Sequence, residues 1–199
     1  MVSGRGPARL SFGPDFHEVL TAAQQGAGWA LTRLYEALAP ALAGYLRAQG
    51  VRDFDDVTNE VFVVVLSRVQ SFTGTEAQLR SWVFTIAYRR MVDIRRTTER
   101  RPEMDPLDTG VLNGDKGSRI SVSAEDAALQ HMGEARIQRL LASLSPEQRD
   151  VVALRILSDL SVEDVAAVVG KQPGAVKALQ RRALAALRRT LSREAERAE

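Results

Sequence analysis

Four carboxylates lie within eight residues, at Asp53, Asp55, Asp56 and Glu60, and they are the densest acidic group available for metal or acid–base chemistry. No base or nucleophile converges with them, as a hydrolase would need, and helix capping accounts for acids at such a position. The same acids open a run of helix-favouring spacing, where the positive end of the helix dipole favours negative charge. The two histidines, His17 and His131, are too few and too far apart for a histidine metal site. With no cysteine in 199 residues, disulfides, thiolate metal sites, iron–sulfur clusters and thiol nucleophiles are excluded together. A metal-dependent hydrolase or nuclease is thus the weakest of the functional classes, and no enzyme activity, cofactor or metal is expected.

The chemistry that remains is cationic. Lys171 to Arg193 contains seven basic residues and no acid, and Arg80 to Arg101 contains seven against Asp93 and Glu99. A formal net charge of +2 conceals this, because it sums over +2 for residues 1–96, −3 for 97–130 and +3 for 131–199. Twenty-four of the 27 basic residues are Arg, whose planar fork binds phosphate and base edges in pairs of hydrogen bonds. A GC-rich genome would bias the codons the same way. All eleven aromatics fall before residue 97, and Trp82, Phe84 and Tyr88 interleave with Arg80, Arg89, Arg95 and Arg96. Cations that follow phosphates and rings that stack on bases suit single-stranded nucleic acid.

Helices must position these groups. Apolar residues recur at three- and four-residue spacing and strand-like alternation does not persist, so the chain reads as all-α. The spacing predicts helices near 15–25, 28–48 with an interruption around Pro40, 54–70, 77–97, 125–144, 146–157, 162–169 and 173–192. Residues 97–130, with Pro102, Pro106 and Gly110, Gly114 and Gly117 among acids, read as a flexible linker. It divides a helical domain, 1–96, from a smaller one, 131–199, that would be marginal alone. The longest strongly apolar stretch, Val61 to Leu66, is far shorter than a membrane span, and no signal peptide is read, so a cytoplasmic place is expected. That stretch is apolar all round beside an acidic edge, which points to a protein partner. In the helix over 77–97 the expected core stripe is Val83, Ile86, Ala87, the stem of Arg90 and Ile94, or a close rotation of it that takes in Trp82 and Phe84, leaving Arg80, Arg89, Arg95, Arg96 and one or more aromatics outside.

The C-terminal part carries the sharpest pattern. Ser145-Pro146-Glu147-Gln148 and Ser161-Val162-Glu163-Asp164 both have the form of a capped helix start, and Gly170 supplies a left-handed stop. Val162, Val165, Ala166 and Val169 form one face of the first short helix; Val176, Leu179, Ala183 and Leu187 form the stripe of the second. Two helices joined by a tight glycine turn, the second one basic, have the signature of a helix-turn-helix. Gln172, Gly174, Ala175, Lys177, Ala178 and Arg181 would then face bases, with Arg182, Arg188 and Arg189 toward phosphates or solvent. A stand-alone dimeric helix-turn-helix regulator would share this motif, but has no need of the acidic and apolar segment at 53–66.

The order Leu34-Tyr35, Ala39-Pro40, Asp53–Phe62, Trp82-Val83, Ile86-Ala87, Asp93, then Leu144 to Arg149, Leu160-Ser161, Ala166, Gly170 and Gly174-Ala175-Val176-Lys177 resembles bacterial extracytoplasmic-function (group 4) sigma factors of the sigma-70 family. The resemblance implies two helical domains that bind core RNA polymerase at its clamp helices and flap. The first, region 2, would read and melt the −10 promoter element, and the second, region 4, would read the −35 element. It implies that Asp53, Asp55, Asp56, Asn59, Glu60 and Phe62 grip the clamp helices. Phe72, Thr73, Gly74, Thr75 and the rest of the loop to Ala77 would capture a flipped −10 base, beside Arg80, Trp82, Tyr88, Arg89 and Arg95. Gln172, Gly174, Ala175, Lys177, Ala178, Arg181 and Arg182 would read −35, and the acidic linker would pass through the RNA-exit path. An anti-sigma factor is a further partner that the resemblance allows. Arg89 stands where the family usually carries Asn, and Lys171 and Gln172 stand where an apolar residue and Ser are common.

Overall fold

The computed structural model describes residues 12–97 and 135–197, together with Gly133 and the helical backbone of 98–100. Every regular element among them is helical. The order is α1 (Phe16–Gln24), α2 (Gly28–Ala48), α3 (Phe54–Arg68), α4 (Glu76–Arg100), α5 (135–142), α6 (Pro146–Leu157), α7 (Val162–Val169) and α8 (Pro173–Glu196). Single 3₁₀ turns precede α1 and follow α3. The helix predicted over 125–144 is described only as α5, and most of the expected linker lies outside the described residues.

Local chemistry accounts for most boundaries. Ser145 and Ser161 each close a capping box, with Gln148 and Asp164 returning the bond to the cap backbone. Gly170 ends α7 at φ 67°, a left-handed conformation that costs a residue with a Cβ about 1 kcal/mol. At the head of α4, Thr75 and Gln78 exchange the same reciprocal pair of bonds. One boundary expectation fails: α2 runs through Pro40 without interruption. Pro40 removes one helical bond and costs about 3 kcal/mol. Leu34, Leu38, Leu42 and Leu46 are buried on both sides of it, each contributing about 1.5–3 kcal/mol, so packing outweighs the break.

Of the two rotations open for the core stripe of α4, the structure takes the one that buries Phe84. Leu79, Val83, Phe84, Ala87 and Met91 are buried, while Ile86 and Ile94 are half-buried and Arg90 is exposed. Phe84 meets Tyr45 edge-on at 5.9 Å, and that large ring takes the core position that the shorter Ile86 was expected to hold. Arg90 faces out because its guanidinium pairs with Glu60 on α3 at 2.7 Å. In α7, Val168 rather than Val169 is buried.

The two halves are not held apart. α1, α2, α3 and α4 pack in sequence, and α6, α7 and α8 form a second group. α4 then lies against α7 and α2 against α6, so one hydrophobic cluster runs from Phe12 to Leu179. Leu157 of α6 lies over Gly44 of α2, where a Cβ would stand at ordinary contact distance, 3.8 Å from its methyl. Leu144, Val152 and Ala183 form a small satellite core.

Candidate nucleic-acid interface

α6, α7 and α8 build the helix-turn-helix from the inside. Val165, Ala166, Val176 and Leu179 bury the angle between α7 and α8, and the left-handed Gly170 sets it. The first turns of α8 therefore stand clear of the core. Gln172, Gly174, Ala175, Lys177, Arg181 and Arg182 are exposed, and Ala178 is half-buried. Among the described residues no carboxylate pairs with Lys177 or Arg181, whereas Lys171 is held at 2.8 Å by Glu147, whose hydrogen bond raises its pKa. Farther along, Arg188 and Arg189 are exposed as expected. This surface offers free cations beside small residues that allow close backbone approach, as major-groove reading requires.

The second cationic surface lies on α4 and the loop before it. Phe72 stacks on Trp82 with ring centroids 5.3 Å apart and planes inclined by 28°. Gln24 of α1 fixes the loop by donating to the Phe72 carbonyl at 2.7 Å. Thr73 and Thr75 are exposed, and Gly74 sits at φ 152°, where a Cβ would strike the Gln78 amide oxygen at 2.6 Å. Arg89 and Arg96 face outward as expected. Two other arginines do not. Arg80 has 14% of its side chain exposed and binds Glu76 at 3.0 Å, one helical turn before it.

Arg95 points into the seam between the halves. Its guanidinium donates to both carboxylate oxygens of Asp150 on α6, at 2.8 and 2.9 Å, and to the Gln49 amide oxygen at 2.6 Å. Burial alone would lower its pKa, but the bonds and charge of Asp150 hold it above the ordinary value. Tyr88 is half-buried, and its hydroxyl pKa is raised by burial and then by Asp150. Tyr45, fully buried beside them, is shifted the same way for the same two reasons.

The acidic edge occupies the first turns of α3. Asp53, Asp55, Asp56, Asn59 and Glu60 are all exposed. Phe62, expected with them, is 2% exposed and lies beneath Tyr35, ring centroids 4.7 Å apart. Tyr35 takes the outer position that Phe62 was expected to hold, and its hydroxyl donates to Asn59 at 3.0 Å. With Val63, 69% exposed and one turn on from Asn59, it supplies the apolar part of the edge. Sequence reading missed Tyr35 as a surface residue because its helix is amphipathic and an aromatic there reads as core. Among the described residues no cluster of three or more potential ligands could hold a metal ion.

A capped helix-turn-helix with exposed cations, packed against a helical unit with a second cationic face, has the form of a DNA-binding protein. Residues 34–101 match the family model for Sigma-70 region 2, and residues 134–187 match that for Sigma-70, region 4. The chain is 33% identical over 193 residues to the ECF RNA polymerase sigma factor BldN of Streptomyces coelicolor, covering 96% of this chain and 71% of that protein. It is 27% identical over 190 residues to the ECF RNA polymerase sigma factor SigD of Mycobacterium tuberculosis, covering 92% and 86%. Its fold is similar to that of CnrH, solved in complex with the cytosolic domain of CnrY, with a TM-score of 0.63, 24% identity and coverage of 88% and 96%. The chain belongs to the extracytoplasmic-function sigma factors of the sigma-70 family. It is a transcription initiation factor that binds core RNA polymerase and serves promoter recognition.

Proposed function

We propose a division of labour in which α8 reads the −35 element, α4 and the 72–77 loop hold the opened −10 strand, and the edge of α3 docks on the polymerase clamp helices. The observation that carries it is the exposed pair Lys177 and Arg181 on the first turns of α8, with no carboxylate against them among the described residues, beside small residues at 174, 175 and 178. Arg binds guanine bidentately in the major groove, and phosphate contacts fix the register. Support for the strand-holding role is the Phe72–Trp82 stack, with Arg89 and Arg96 exposed about two and four turns farther along α4. Unpairing a base costs a few kcal/mol, which stacking and charge together offset. Asp53, Asp55, Asp56, Asn59 and Glu60, with Tyr35 in the place expected for Phe62, form the polymerase face. The domain division falls between residues 96 and 131, and each half reads DNA weakly until polymerase tethers both. An anti-sigma factor is a further expected partner, and the cytoplasm the expected place of action. Run-off transcription with core polymerase tests the whole reading. A promoter-specific transcript that depends on this chain supports it, and its absence at every salt concentration overturns it.

A further inference from the structure

Both ends of the 72–77 loop are tied to the segment that precedes the region 2 match, which begins at residue 34. Phe72 closes the 3₁₀ turn over Val69–Ser71 with its N–H, and its own carbonyl falls beyond that turn. Gln24, the last residue of α1, supplies that carbonyl with a donor. Its Nε2 donates to the Phe72 carbonyl at 2.7 Å and lies 3.5 Å from the Val69 carbonyl oxygen, across 48 and 45 residues of sequence. At the other end, one oxygen of Glu76 accepts the Phe12 backbone N–H at 3.1 Å and the Arg80 guanidinium at 3.0 Å. Phe12 is buried and tilted against Phe16, with ring centroids 6.0 Å apart. α1 packs along the 3₁₀ turn, so both anchors issue from one packed segment, Phe12 to Gln24.

These anchors act on the stack itself. The carbonyl that Gln24 holds belongs to the residue whose ring lies on Trp82, so that peptide and that ring are oriented together. Between the anchors Thr75 exchanges bonds with Gln78, and Thr73 and Thr75 are left exposed. The loop thus presents two hydroxyls and a stacked pair of rings from a frame set before any strand arrives. Ordering a loop at the moment of binding lowers affinity, and a frame already set avoids that loss. Gln24 is half-buried, and one such bond adds little to the stability of the whole fold. Its weight falls on the loop.

We propose that Gln24 is a positioning residue for −10 capture: through the Gln24–Phe72 bond, with the Phe12–Glu76 bond at the far end, the α1 segment holds the loop in the geometry that accepts the opened strand. The role rests on the assignment of the 72–77 loop to that strand.

The chain has two tryptophans, so in a Trp29→Phe background the emission of Trp82 alone reports the stack in the full chain. Gln24→Met keeps a long unbranched side chain and removes both donor hydrogens. It should shift the Trp82 emission to the red and make it easier to quench with iodide. Holoenzyme carrying it should bind a fluorescein-labelled −10 non-template oligonucleotide, from a promoter that gives a run-off transcript, on the order of fivefold more weakly. Affinity for the −35 duplex and for core polymerase should stay as it was. Gln24→Ala should act in the same direction, and it decides the matter if Gln24→Met does not fold. Unchanged Trp82 emission in the folded variants overturns the positioning role, as does changed emission with no loss of oligonucleotide binding. Equal loss of −35 duplex binding marks a general loss of fold and overturns it too. Phe72→Ala separates this role from the assignment beneath it. If Phe72→Ala weakens oligonucleotide binding and the Gln24 variants do not, the positioning role falls and the assignment of the loop stands. If Phe72→Ala also leaves binding intact, the assignment falls and takes the positioning role with it.

Discussion

At the scale of single residues, function separates by which partner a side chain is free to meet. Lys177 and Arg181 have no described acid against them, so their charge is available to DNA, while Asp56 is exposed on the opposite kind of surface. Lys177→Ala or Arg181→Ala should therefore weaken −35-dependent initiation by about 1–3 kcal/mol and leave affinity for core polymerase unchanged. Asp56→Arg should lower polymerase affinity and spare binding of the −35 duplex. Competition binding to core polymerase, set beside promoter titrations, checks both; equal loss of polymerase affinity in the two classes would contradict the division of labour. Gly74 makes a second residue-scale case. At φ 152° an added Cβ meets the Gln78 amide oxygen at 2.6 Å and the Phe72 ring at 3.2 Å. Gly74→Ala should shift the Phe72–Trp82 stack and reduce promoter opening, read by permanganate footprinting, with −35 binding intact.

At the scale of elements, the helix-turn-helix depends on two local devices, the Ser161 capping box and the left-handed Gly170. Ser161→Ala should cost about 1 kcal/mol. Gly170→Ala should cost a similar amount from backbone strain alone, because no neighbour lies within 4 Å of the Cβ position. Each predicts a fall in melting temperature of about 2–4 °C, with Gly170→Asn milder because Asn tolerates the left-handed region. These devices were legible in the sequence since each is written within four residues. The face of α4 was not. Val83 and Ala87 fit two adjacent rotations of the stripe, and Phe84 against Tyr45 and Arg90 against Glu60 select between them. Continuity through Pro40 was equally hidden, because burial of α2 on both sides decides it rather than the proline. Tyr35 over Phe62 likewise depends on how α2 crosses α3. The elements were readable where chemistry is local, and unreadable where a partner distant in sequence chooses the face.

At the scale of the molecule, the alternation of charge was legible and the seam was not, since Arg95 and Asp150 are 55 residues apart and either reads alone as a surface ion. The seam has a thermodynamic signature. The C-terminal half is small, and a unit of that size buries too little surface to be more than marginally stable alone. Here its Val151, Leu154, Leu160 and Val165 belong to the same buried cluster as Leu34, Val83 and Phe84. Removing the seam should expose apolar surface on both sides and break one cooperative unit into two. Calorimetry of the full chain should then show a single transition, with calorimetric and van't Hoff enthalpies equal. Gly44→Phe should split it, the C-terminal half melting first. A full chain that already melts in two steps would mean that the halves are joined only through the covalent chain, and that the Arg95–Asp150 seam carries no energetic weight.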